Sequence, residues 1–167
     1  MNHKLMRQLG LSLLLTAGGC GLALAAASSD FVDEAAQGGI NEVESAKLAL
    51  EKSTATDVKA FAQQMVDDHT KVNQELLNLA HKLDIKVPDE ASLTARAKKM
   101  ILEMRDESFD QAYIDNQVEA HEKTVALFEK ESQSKDDAQL KAFAQSTLPQ
   151  LRMHLDMAKR LQTQHAK

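Results

Sequence analysis

Three histidines in this chain stand where a leucine would be expected. His69, His121 and His154 each fall within the apolar stripe of a separate predicted helix. An imidazole in an apolar seam needs a hydrogen-bonding or charged partner. Three of them, one per helix, would serve one another in a shared polar site. Glu42 adds a carboxylate from a further helix, in a stripe with Ala35, Gly39, Ala46 and Ala49, whose small side chains leave it room to point inward. Imidazole nitrogen and carboxylate oxygen suit Zn, Fe, Mn or Cu(II), in tetrahedral or open geometry. Glu42, His69, His121 and His154 are therefore the candidate metal ligands.

Other residues frame that set. Asp68 and Glu122 are the chain neighbours of His69 and His121. Each is rotated from its neighbour by roughly 100° of helix, so they are outer partners at most. Met65 lies one turn before His69, and Met153 and Met157 flank His154; thioethers beside imidazoles would favour Cu(I). The competing reading is structural. It makes the histidines part of a buried His–Glu–Tyr hydrogen-bond network through Tyr113, with the methionines as core filler. His3, His81 and His165 fall in the leader, at a helix end and in the tail.

Four helices must position these groups. The 167 residues include only two prolines and six glycines, a composition that favours an all-α protein. Helix one starts near Asp30, with Val32, Ala36, Gly39, Val43, Ala46 and Leu50 recurring at steps of four and three. A break at residues 53–57 caps helix two, whose seam runs Val58, Ala62, Met65, His69, Val72, Leu76, Leu79 and Leu83 and stops before Val87-Pro88. A shorter amphipathic stretch spans about Leu93 to Met104. Helix three runs from Phe109 to about Ser132, with Ile114, Val118, His121, Val125 and Phe128 on one seam. Helix four runs from about Asp137 to Gln164 along Leu140, Ala144, Thr147, Leu151, His154, Ala158 and Leu161. Pro149 lies inside it, deletes one backbone bond and should kink it.

Depth along the helices is consistent with one site. Glu42 lies ten residues before Lys52 and His69 twelve after Asp57, about 15 and 18 Å from the same end. His121 falls at a similar level, and His154 up to about a turn and a half lower.

The first residues read as an export signal. Lys4 and Arg7 precede an apolar run from Leu9 to Ala27 that ends in two A-x-A sites. Cleavage after Ala25 or Ala27 would leave a single domain over residues 28–167 in the periplasm or outside the cell. Ala17-Gly18-Gly19-Cys20 offers lipoprotein processing as a rival, though Ala17 is small for that motif. Losing Lys4 and Arg7 moves the formal charge from −5 to −7. An acidic, aromatic-poor surface argues against nucleic acid as a partner.

The chain carries a faint repeat. Val58-Lys59-Ala60-Phe61-Ala62-Gln63 matches Leu140-Lys141-Ala142-Phe143-Ala144-Gln145, and Phe31 and Phe109 open the two halves. Each half is then a helical hairpin. Two hairpins joined by a crossover carrying a short helix make an antiparallel four-helix bundle of ferritin-like type.

From about Phe31 to Leu161 the chain resembles the bacterial envelope family catalogued as domain of unknown function 4142, often labelled "predicted outer membrane protein". The matching stretches are Glu42-Val43-Glu44 with Lys47-Leu48-Ala49, and Val58-Lys59-Ala60-Phe61-Ala62 with Met65-Val66 and Asp68-His69. Phe109-Asp110 with Tyr113-Ile114, Gln117-Val118 with His121, and Leu148-Pro149 with His154 complete the set. The resemblance implies a ferritin-like bundle and no established activity. The alternating strands of a membrane barrel are not seen. Di-iron bundles place Glu three residues before His on two helices; here those positions are Val66 and Leu151, which speaks against iron storage and di-iron chemistry. The first expectation is an exported bundle that binds or buffers a transition metal (Zn, Cu or Fe). The second is a non-catalytic envelope protein, acting through protein contacts or in stress tolerance, with structural histidines. An enzyme ranks last, because no nucleophile–base pair or phosphate-binding loop is evident.

Overall fold

A computed structural model describes residues 19–87, 93 and 109–166, with side chains from residue 28 onward. Four α-helices occupy them: α1 Gly19–Lys52, α2 Thr56–Lys82, α3 Phe109–Ser132 and α4 Ala138–His165, and no strand occurs among the described residues. Residues 1–18 of the expected leader and the expected crossover helix lie outside the described residues, except for Leu93. That leucine is helical and buried, and its carbonyl accepts a bond from Gln37 Nε2 at 3.2 Å. Among the described residues no helix is long and apolar enough to cross a membrane.

Local chemistry sets the helix ends. α1 begins eleven residues before the expected start at Asp30. The Ala- and Leu-rich segment before Ser28 has high helix propensity, and it carries the helix straight through Ser28-Ser29-Asp30, a sequence that would cap an isolated helix. Asp137 caps α4, accepting from the backbone N–H of Gln139 at 2.7 Å and of Leu140 at 3.2 Å. α2 stops at Lys82, before the proline is reached. Asp84 takes a left-handed φ of 55°, and the N–H groups of Ile85 and Asp84 bond back to Ala80 and His81, which satisfies the carbonyls of the last turn. α4 stays helical across Pro149. The proline is on the exposed side, so water can serve the carbonyl it leaves unbonded.

The packing follows from who touches whom. α1 packs on α2 and α3 on α4, with α1 also beside α3 and α2 beside α4. Phe31 meets Phe128 at a 5.2 Å centroid separation, while Lys52 lies over the Phe109 ring; α1 and α3 therefore run in opposite directions. Asp57 reaches His165 and Lys82 reaches Gln139, so α2 and α4 are also opposed.

The interior has three layers. One apolar cluster contains Phe31, Val32, Leu76, Phe128, Leu140 and Leu151. A second contains Ala46, Val58, Phe61, Met65, Ile114, Val118 and Leu161. Between them in the numbering of every helix fall the buried polar residues Glu42, His69, His121 and His154. The polar site is a slab across the middle of the bundle, with hydrocarbon on both sides.

Two adjacent glycines differ in what they permit. A Cβ on Gly39 would overlap the Asn73 amide, reaching Cγ at 2.7 Å, whereas one on Gly38 would meet only Thr124 Oγ1 at 3.9 Å. α1 and α2 approach closely at Gly39. Gly39→Ala should destabilise the protein by about 1–3 kcal/mol through overpacking. Gly38→Ala should be neutral or stabilising by up to about 1 kcal/mol from helix propensity. Urea midpoints of the two variants test this contrast.

Candidate metal centre

The three imidazoles meet in the polar slab. Their ring centroids are 5.5 Å apart for His69–His121, 5.4 Å for His69–His154 and 5.5 Å for His121–His154, a nearly equilateral triangle. One nitrogen from each ring lies within 4.8 Å of the others. The rings are buried, with 4%, 1% and 1% exposure for His69, His121 and His154. His154 is level with the other two, within the expected range of up to about a turn and a half.

Hydrogen bonds set which nitrogen each ring offers. His121 Nδ1 lies 3.0 Å from the Gln117 carbonyl oxygen one turn back. A carbonyl only accepts, so Nδ1 is the donor, and in the neutral tautomer this selects, Nε2 holds the lone pair. That Nε2 faces His69 Nε2 at 3.4 Å. His154 is held the other way round: its Nε2 bonds Asp68 Oδ2 at 2.9 Å, and its Nδ1 is buried without a hydrogen-bond partner among the described residues. The Asp68 carboxylate fixes the proton on Nε2 and leaves the Nδ1 lone pair for an acceptor role. Metal–nitrogen bonds of 2.0–2.1 Å in a tetrahedron place ligand nitrogens roughly 3.3–3.4 Å apart. The His69–His121 separation already has that value.

Burial sets the charge state. His69 is pushed well below the usual imidazole range by desolvation, and then by its two imidazole neighbours. Burial also lowers His154, against the opposing pull of Asp68. Near neutral pH both rings are uncharged and can bind a cation without first losing a proton.

Glu42 sits behind the triangle. Its Oε1 is 4.0 Å from His121 Nδ1, the nitrogen turned away from His69, and the three-histidine cluster does not include it. Gln117 Nε2 donates to Glu42 Oε2 at 2.6 Å and lies 3.4 Å from Ser45 Oγ. Burial raises the Glu42 carboxyl above its ordinary range, partly offset by His121 and Gln117. Tyr113 is fully buried and lies close enough for Glu42, after burial itself, to raise its phenol further. Its hydroxyl has no hydrogen-bond partner among the described residues, so no bond links it into a His–Glu–Tyr chain there.

The remaining candidates divide. Asp68, three-quarters buried, touches the centre through His154 on α4 rather than through its neighbour His69. Glu122 is half exposed and pairs with Lys159 at 2.7 Å. Met65 is buried in the second apolar cluster, while Met153 is 45% exposed. His81 is exposed, and His165 pairs with Asp57 at 2.9 Å. Gln117, quoted from the sequence only within the family resemblance, had no site role there, because a glutamine at seam spacing gives no sign of what it will meet. If the centre binds metal, Asp68→Asn should weaken binding about 10–100-fold by releasing the His154 tautomer; competition titration against a chromophoric chelator measures the change.

No curated protein and no solved structure matches the chain. A family model does, over residues 16–161, and this chain belongs to the family described as domain of unknown function (DUF4142).

Proposed function

We propose that this protein is an exported helical bundle of ferritin-like arrangement that binds a transition-metal ion, in a binding or buffering role, between its helices. His69, His121 and His154 are the ligands. Glu42, the fourth residue of the expected set, supplies negative charge from behind His121, and Asp68 orients His154. One observation carries the reading: three buried imidazoles from three helices form one triangle, and one of its nitrogens, His154 Nδ1, has no partner among the described residues. Three imidazole donors, two of them (His69 and His154) held neutral by burial, suit Zn, Cu or Fe. Export rests on the leader, with residues 28–167 as the mature domain and Cys20 lipidation as the less favoured processing route. The second reading, an envelope interaction or stress-tolerance protein, draws on the bonds of His154 to Asp68, of His121 to the Gln117 carbonyl and of His69 to His121, which give each ring a partner without an ion.

Metal analysis of untagged protein separates the two. About one transition-metal ion per chain, regained after chelation and dialysis, is expected. Protein that contains no such ion and takes up none of Zn, Cu or Fe in a titration overturns the metal reading.

A further inference from the structure

A groove between α1 and α3 leads from the surface to the back of the triangle. Its volume is about 500 Å³, and Asp33, Glu34, Gln37, Gly38, Glu42 and Glu119 are among its walls. Four carboxylates line it against one cation, Lys123, whose ammonium is bonded to Glu119 at 2.5 Å. Two oxygens in the groove walls, Asp33 Oδ1 and Gln37 Oε1, are buried without hydrogen-bond partners among the described residues. Such a channel concentrates cations and offers oxygens in place of their hydration water.

At its inner end stands Glu42, only 4% exposed, which both lines the groove and lies against an imidazole of the triangle. The His121 ring is the partition beyond it. One edge of that ring turns Nδ1 toward Glu42, and the other nitrogen turns toward His69. Only the His121 ring separates an ion held at Glu42 from the other two histidines.

We propose that the α1–α3 groove is the path by which a divalent cation reaches the histidines, with Glu42 as the last carboxylate on that path before His121. This rests on the metal-binding reading above and adds the route. Gly38 has a specific part in it. A methyl there meets only Thr124 Oγ1 at 3.9 Å, so a larger side chain can extend into the groove while the helix keeps its packing.

The test is stopped-flow uptake of Co(II) by metal-free full-length protein, followed through the visible absorption of the histidine-bound ion, with equilibrium affinity measured separately. Gly38→Leu is expected to slow association about tenfold or more with the dissociation constant nearly unchanged, because a blocked path slows arrival and departure alike. Asp33→Asn with Glu34→Gln provides a second variant that leaves the packing alone. It should slow association about tenfold at low salt, with the difference shrinking as salt is added. Wild-type association rates in both variants would overturn the route and point to the Asp68 side of the bundle instead. Failure of the wild-type protein to bind Co(II) would instead remove the metal reading itself.

Discussion

His69→Ala is expected to abolish high-affinity metal binding, lowering affinity by about 10³-fold or more. His69 is the ring with both the 3.4 Å nitrogen contact to His121 and the 5.4 Å ring contact to His154, and two remaining imidazoles hold an ion far less tightly than three. The thermodynamic signature is larger than the change in folding stability alone. An ion present at a thousand times its dissociation constant stabilises the folded chain by about 4 kcal/mol. In the variant that increment should vanish, whatever the substitution does to the metal-free protein. Thermal unfolding of wild type and variant, each with chelator and with excess Zn(II), gives the four values needed. A variant that keeps the full zinc-dependent rise in Tm would show that the ion binds elsewhere. His69→Leu adds a sharper contrast: it restores the apolar stripe, so metal-free stability should be largely retained while the zinc increment is lost.

The second large effect is acid sensitivity of the metal-free protein. His69 and His154 have folded pKa values below the unfolded value of 6.5. Above pH 6.5 both states are neutral and these groups contribute no pH dependence. As pH falls below 6.5 the unfolded chain takes up protons that the folded chain refuses, so stability is lost until pH reaches the folded value. Each group contributes a slope of about 1.4 kcal/mol per pH unit inside its window, and the His69 window is the wider because its shift is the larger. Glu42 acts in the opposite sense. Its folded pKa lies above 4.5, so its contribution is fully present below that value and is lost as pH rises through the folded one. Glu42→Gln should therefore raise stability near neutral pH and steepen the net fall on the acid side. Urea midpoints between pH 4.5 and 8 in the presence of chelator measure both. A flat profile from pH 6.5 to 5 would mean that the rings are charged or hydrated in the folded state.

Much of this arrangement was legible before any coordinates. Steps of three and four residues located the four helices, and all seven seam residues named for α4 are buried. The alignment of Glu42 with Ala35, Gly39, Ala46 and Ala49 pointed the carboxylate inward, and Glu42 is buried while Val43 is only half-buried. What escaped was set by tertiary contact. On α2 the buried set includes Phe61, Asn73 and Ala80 rather than Val72 and Leu79, because the neighbouring helices cover a broader and slightly rotated strip than a strict heptad seam. Asp68 was read relative to its own neighbour His69, yet its partner comes from α4, 86 positions along the chain. Spacing within one helix carries no information on that pairing. The early start of α1 is a conflict between a capping signal and the propensity of the residues before it, and propensity won.

No helix contributes more than one of the three imidazoles, and the first pair of helices supplies a single one. A fragment containing only α1 and α2, or only α3 and α4, would lack the full donor set. Ion capture would thus report completed assembly of the whole domain, and a bound ion would act as a rivet whose removal loosens the two halves together.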